Sequence, residues 1–472
     1  MQRTSEFSME TGDVISKVDD DGRPKRTGTT VTASAHIITA VIGSGVLSLA
    51  WATAQLGWIA GPLCLVLFSI ITWFNSLLLA DCYRSPTGAR NPTYMDVVKA
   101  NLGGAKYHFC GLAQYSNFVG TTIGYTITGS ISMVAIKRSN CFNTKGHDSG
   151  CHISNNPFMI IYGVIQIILS QIPNFNKIAM LSIVASLMSF IYSSIGLGLS
   201  LAKIIEGRGE HIAKGLTGKS VGNDFTRMDK MWNSFSAVGD IAFAYAFSLV
   251  LIEIQDTLKS GPPENEVMKR ASTIGISVST MFYLLCGITG YAAFGDDSPG
   301  NLLTGFGFYE PFWLVDIANL CIAIHLIGAY QVFSQPLYKF VEDCCRKKWP
   351  NSKFINGEKS INLPWGGIFS FSLLRLVWRT SYVIMTTIIS MMFPIFNDIC
   401  GFLGALGFWP LTVYLPIEMH LVQAKVPRYS LHWICMRILS LFCLCISLLA
   451  AAGSLRGIVE ATQTFKFMRS VS

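Results

Sequence analysis

Charge is scarce in this 472-residue chain: 14% of its residues are charged, against about 25% in an ordinary soluble domain. With 51% hydrophobic residues and a mean hydropathy of +0.43, that shortage excludes a soluble globular protein and indicates an integral membrane protein. No Cys/His cluster has the spacing of a sequence-recognisable zinc motif. His-Glu-x-x-His and Gly-x-Ser-x-Gly are also absent, so neither a metalloprotease helix nor a nucleophile elbow is present. The first 30 residues have no apolar centre, unlike a cleavable leader. Carrying Asp19-Asp20-Asp21 and Lys25-Arg26, residues 1–30 are expected to form a disordered cytosolic tail. The net charge of +8 is modest, and the basic residues lie between apolar runs. They read as orientation signals and not as a nucleic-acid surface.

What the chain has is apolar length. Eleven runs approach or exceed the ~20 residues that cross a bilayer as a helix: 31–53, 59–81, 109–135, 157–173, 178–201, 233–255, 270–293, 312–340, 376–396, 399–420 and 432–453. Pro410 and Pro416 are expected to bend the tenth. The segment 341–375, with Arg346-Lys347-Lys348, is basic, whereas 294–311 has no Lys or Arg. The excess of positive charge inside then puts the N-terminus in the cytosol and the C-terminus outside. The basic loop 202–232 runs against this assignment. The same orientation places the polar loop Lys137 to Asn156 outside, where Cys141 and Cys151 can close as a disulfide. Most of the other cysteines lie in apolar runs as small buried hydrophobes.

Within the first run, Gly43-Ser44-Gly45 marks a place where a helix can unwind. Unwound backbone in a membrane is tolerated only against protein or a cavity. The half-helix beginning near Val46 would direct its free amides and partial positive charge at an anion such as a carboxylate. The competing explanation is close helix packing through small residues. Ten of the runs can divide into two five-helix halves, 1–5 and 6–10, with the eleventh as an addition. An odd number inverts the second half relative to the first, as in many secondary transporters. The corresponding stretch of the second half, Gly239 to Phe247, contains Asp240 but no central Gly or Pro. Ionisable residues inside spans are functional candidates by default. His36, His325 and Asp240 are the proton-coupling candidates. Each histidine is equally readable as a neutral ring bonded to a carbonyl, and Asp240 as a cap beside the break. His36 is favoured for coupling because it shares a helix with the first break.

Thr32 to Trp51, Ala54-Gln55-Leu56-Gly57-Trp58, Tyr83-Arg84 and Asn91-Pro92-Thr93-Tyr94 resemble stretches of the amino acid/auxin permease family, specifically its plant amino acid permeases. Gly239 to Tyr245, Glu253 to Leu258, Gly290 to Gly295 and Gln335-Pro336 extend the resemblance, which runs from about residue 27 to the C-terminus. It implies an all-α membrane protein with a leucine-transporter-like 5+5 inverted repeat, about 31–201 and 233–420. An extra helix at 432–453 and a short tail at 454–472 would follow. It further implies a plant plasma-membrane symporter importing neutral amino acids with protons, with acidic ones a secondary class, and needing no cofactor or metal. Its partners would be a small-molecule amino acid and membrane lipid, with no nucleic acid. Val41, Gly43, Ser44, Gly45, Ala242, Phe243 and Tyr245 are the substrate-binding candidates, the last two through the resemblance. Phe247-Ser248-Leu249 departs from the family pattern and leaves the substrate range open. An auxin or related organic-anion symporter is the nearest alternative within the family, and a receptor on the same fold the alternative outside it. A channel would favour rings of repeated pore residues, and a receptor a large folded tail or loop domain. The chain has neither.

Overall fold

The first apolar run does not continue as one helix. In the computed structural model, α1 (Thr30–Val41) stops at the predicted glycines. A 3-10 segment, Ser44–Ser48, follows, and α2 (Leu49–Asp81) resumes the helix. Thr29 and Thr32 form a reciprocal capping box at the start of α1, which satisfies two amides that a helix N-terminus leaves open. The structure describes residue 19 and residues 25–85, 87–146, 150–172, 175–207, 215–222, 225–306, 311–362, 368–393 and 395–464. Most of the tail expected at 1–30 lies outside the described residues. So do Arg208, Lys214, Pro173, Pro394 and the end of the 454–472 tail.

The first two predicted runs are joined without a loop. Gly57 lies inside α2 at φ 84°, ψ 180°, a left-handed position that glycine takes without steric cost. There the chain turns between the two segments. After the short helix α3 (Tyr94–Asn101) come α4 (Gly104–Lys145), α5 (Asn156–Ser170) and α6 (Phe175–Ile205). The loop expected from Lys137 is therefore helical through Lys145, and Cys141 sits in the last turns of α4. Cys141 and Cys151 are disulfide-bonded.

The sixth run is also broken. α7 (Arg227–Ala244) and α8 (Ser248–Gln255) are separated by Tyr245, Ala246 and Phe247. α9 (Glu264–Phe294) and α10 (Phe312–Lys348) follow. A two-stranded antiparallel hairpin, Glu358–Asn362 with Ile368–Ser372, comes next and leads into α11 (Leu373–Met392). α12 (Phe396–Gly407) passes into a π-helical stretch, Phe408–Tyr414, and then α13 (Leu415–Gln423). Pro410 lies within that stretch and Pro416 in the first turn of α13, where the missing amide is least costly. α14 (Leu431–Thr464) ends the described chain.

Among the described residues, eight helical stretches are long and apolar enough to cross a membrane, and α1 and α5 are shorter apolar helices. α9 packs along α1 and α2, and α7 packs on α2, α12 and α14. α10 packs between α4 and α6. The two breaks meet where these groups face each other.

Candidate substrate site at the paired helix breaks

Breaking a helix leaves carbonyls without their usual amide partners. Two tyrosine hydroxyls supply substitutes. Tyr283 of α9 has its hydroxyl within hydrogen-bond reach of the Val41 carbonyl at the end of α1 and of the Ala244 carbonyl at the end of α7, 2.9 Å away, and its single proton serves the two in turn or shared. One side chain thus reaches both broken ends. Tyr192 of α6 donates to the Gly43 carbonyl at 3.0 Å. Both tyrosines are fully buried. Sequence reasoning missed them, because a tyrosine in an apolar helix reads as packing until its hydroxyl partner is known.

Around the breaks lies a narrow cavity of about 20 Å³, room for about one water molecule. Val41, Gly43, Ser44 and Gly45 line one side, and Phe243, Ala244 and Ala246 another. Asn117, Thr121 and Tyr125 of α4 and Phe333 of α10 close it. Ser44 and Gly45 open the 3-10 segment, so their amides have no carbonyl one turn back. They are the donors available to a carboxylate. No charged side chain is among the lining residues. Thr121 donates to Asn117 Oδ1 at 3.4 Å, and Asn117 Nδ2 donates to the Leu403 carbonyl at 3.2 Å, which fixes the orientation of the amide.

Two of the seven substrate-binding candidates do not reach this cavity. Ala242 is buried against helices. Tyr245 is fully buried, directs its hydroxyl to Thr280 at 3.1 Å and packs edge-on against Tyr283. A one-residue step along α7 swings the side chain by about 100°, which is why Phe243 faces the cavity and Ala242 does not. Gly45 serves both readings of its motif. It lines the cavity, and a Cβ there would lie 2.8 Å from the Ala244 Cα. The glycine therefore lets the two breaks touch.

The ionisable candidates separate. His36 is half-buried on α1. His325 is buried, with Nδ1 2.8 Å from the Ala185 carbonyl and 2.9 Å from Ser189 Oγ. Its Nε2 faces the first break, 3.8 Å from where a Cβ of Gly43 would stand. His325 thus adjoins the break from another helix, a proximity that spacing along one helix could not reveal. Asp240 is fully buried, and neither carboxyl oxygen has a hydrogen-bond partner. Among the described residues no group of three or more His, Cys, Asp or Glu is placed to hold a metal ion.

The remaining motifs gather at the other end of α8. Tyr83 donates to Asp256 at 2.6 Å, and Asn91 donates to the Tyr83 carbonyl at 2.8 Å. Glu253 accepts from the Tyr94 amide at 3.2 Å, a carboxyl at a helix N-terminus. Arg26 donates to Glu264 at 3.0 Å and Arg84 to the same carboxylate at 3.1 Å. The Gly28 amide pairs with the Thr257 carbonyl at 3.0 Å. The end of the segment expected to be a disordered tail is therefore packed here.

A bundle of membrane-length helices, broken twice around a small cavity with free amides, defines a membrane transporter of small solutes. The comparisons give the particular family. Residues 26–460 match the model of the transmembrane amino acid transporter protein family. The chain is 63% identical over 461 residues to amino acid permease 6 of Arabidopsis thaliana, covering 97% of this chain and 96% of the relative. It is 59% identical over 463 residues to amino acid permease 1 of the same plant, covering 97% and 95%. Its fold resembles that of MhsT solved in complex with L-phenylalanine, with a TM-score of 0.56 and 10% identity over 91% of this chain and all of that one. The chain belongs to the transmembrane amino acid transporter family and is a multi-pass amino acid transporter, not an enzyme.

Proposed function

We propose that this chain is a proton-coupled symporter that imports neutral amino acids across the plasma membrane by alternating access, with acidic amino acids a secondary class for the uptake test to decide. The observation that carries the reading is the cavity where the Ser44 and Gly45 amides face α4 and the second break. Those amides suit the carboxylate common to all amino acids, and the uncharged lining suits an uncharged side chain. MhsT, of similar fold, was solved with an amino acid bound, which supports placing substrate here. The proposed arrangement is eleven spans, as two inverted five-helix repeats and one added helix, with the N-terminus in the cytosol and the C-terminus outside. The coupling ion is the proton, and no cofactor takes part. His36, His325 and Asp240 are its candidate carriers, since ionisable groups held inside a membrane bundle mark proton routes.

The test is uptake of a panel of labelled amino acids, together with substrate-evoked current, in cells expressing the chain at two external pH values. The expected result is an inward current with neutral amino acids that grows as external pH falls. Dependence on sodium without any pH effect would remove the proton from the scheme, and uptake of an indole carboxylate in place of amino acids would favour the auxin reading.

A further inference from the structure

The cluster furthest from the mechanism joins the last two helices. His420 occupies the last turn of α13 and is half-buried, while His432 occupies the first turn of α14 and is exposed. Their Nε2 atoms are 3.4 Å apart, and the rings meet nearly edge to face at a 5.6 Å centroid distance. A hydrogen bond from an N–H donor has a usual length of about 2.7–3.2 Å, so this separation is long for one imidazole donating to the other. It matches a different arrangement. Two nitrogens each about 2.0–2.1 Å from one tetrahedral metal ion stand about 3.3–3.4 Å from each other.

The backbone that sets this distance is unusually constrained. Lys425 and Tyr429, between the two histidines, have φ of 48° and 64° and are the only non-glycine residues with positive φ among those described. Such conformations persist only where the surroundings fix them, and they concentrate at ligand clamps. Here the Val426 amide donates to the Leu421 carbonyl at 3.1 Å, and the Trp433 amide to Ser430 Oγ at 3.2 Å. Glu418, one residue removed from His420, is ion-paired with Arg437 of α14 and Lys106 of α4. Gln423 donates to the Asp81 carbonyl at 3.2 Å. The two imidazoles are thus held at a bite distance by these five ties, with one ring open to solvent.

We propose that His420 and His432 form a two-histidine site for a borderline divalent cation of the Zn²⁺ class, with water completing the coordination. Imidazole suits Zn²⁺, Ni²⁺ and Cu²⁺ and not Mg²⁺ or Ca²⁺, which prefer oxygen ligands. Bound metal would staple α13 to α14 across residues 424–430.

The experiment uses the full chain without a polyhistidine tag, in detergent, titrated calorimetrically with Zn²⁺ and separately with Mg²⁺. Variants are His420→Ala, His432→Ala, His432→Gln and, as control, His108→Ala on α4. The parent and the control should bind one Zn²⁺ saturably and melt at a higher temperature in its presence, as any ligand selective for the folded state requires. Each substitution at 420 or 432 should weaken Zn²⁺ binding at least about tenfold, because half of the protein ligands are lost. His432→Gln keeps a polar, exposed side chain, so loss of binding there reports a missing metal ligand and not misfolding. No saturable Zn²⁺ binding by the parent, undiminished binding in His432→Gln, or equal binding of Mg²⁺ would each overturn the site.

Discussion

Gly45 has no room for a side chain, because the second helix break occupies the space where its Cβ would lie. Gly45→Val adds a branched side chain against Ala244 and beside the cavity amides. Uptake should fall to background while membrane insertion is kept, as measured by labelled amino acid uptake normalised to surface expression. Normal uptake by a well-inserted variant would leave the motif as helix packing alone. The histidines divide by their bonds. His325 Nδ1 contacts the Ala185 carbonyl and Ser189, so its ring is anchored beside the break. His36, half-buried on α1, is free to change surroundings when that half-helix tilts. Burial disfavours a charged imidazole and a nearby carboxylate favours it, so such a movement can load and release a proton. His36→Gln should therefore flatten the dependence of substrate-evoked current on external pH. His325→Gln should reduce the maximal current and keep the parent's pH profile. The same profile in His36→Gln and the parent would move the proton site elsewhere, with Asp240 next.

At the scale of elements, the two breaks are one construction. The second break does not use a left-handed backbone at its ends: Tyr245 has φ −94°, ψ 6° and Phe247 φ −95°, ψ −10°, the bridge region, which does not require glycine. At the break the Ala244 carbonyl faces a side-chain hydroxyl and not a backbone amide. The same Tyr283 hydroxyl lies within reach of the Val41 oxygen. Tyr283→Phe removes this hydroxyl and leaves the buried Ala244 carbonyl without it, whereas Val41 keeps the Gly43 amide at 2.7 Å. A loss of about 1–3 kcal/mol for each buried group left unpaired is the usual scale. The variant should melt at a lower temperature in detergent and transport more slowly, with substrate narrowing the difference from the parent. An unchanged melting temperature and unchanged uptake would show that the breaks hold without this bridge.

For the whole molecule, the disulfide and the ionic cluster mark opposite ends. Cys141 and Cys151 close the far end of α4, whereas Arg26, Arg84 and Glu264 tie the start of α1 to the start of α9 and the end of α2. Oxidising conditions outside the cell maintain disulfides and the cytosol does not. Mass spectrometry of unreduced peptides from mature protein should therefore recover the 141–151 link, and an impermeant thiol reagent should label neither residue on intact cells until reductant is added. Free thiols at both positions would argue against an outward-facing end. Arg26→Ala should speed labelling of Ala246→Cys from the cytosolic side several-fold, because Arg26 bonds Glu264 and Tyr83 at the end of the bundle that the proposed orientation turns to the cytosol. Solvent screens ion pairs only where they are exposed, and the Arg26 and Glu264 side chains are 7% and 5% exposed.

The sequence by itself determined that this is a helical membrane protein, where most of its helices lie, and that the first of them breaks at Gly43-Ser44-Gly45. Those properties are local: apolar run length and glycine freedom act within a few turns of chain. Its long motifs also determined the family. Only the tertiary structure decided the second break, where the Ala244 carbonyl faces a hydroxyl 39 residues away. It also decided that His325 adjoins the first break, that Tyr245 turns from the cavity while Asn117 and Phe333 enter it, and that Arg26 and Glu264 form a pair 238 residues apart. These facts depend on which helix faces lie against each other. A single chain's periodicity records that a face is apolar, but not which distant polar group stands opposite it.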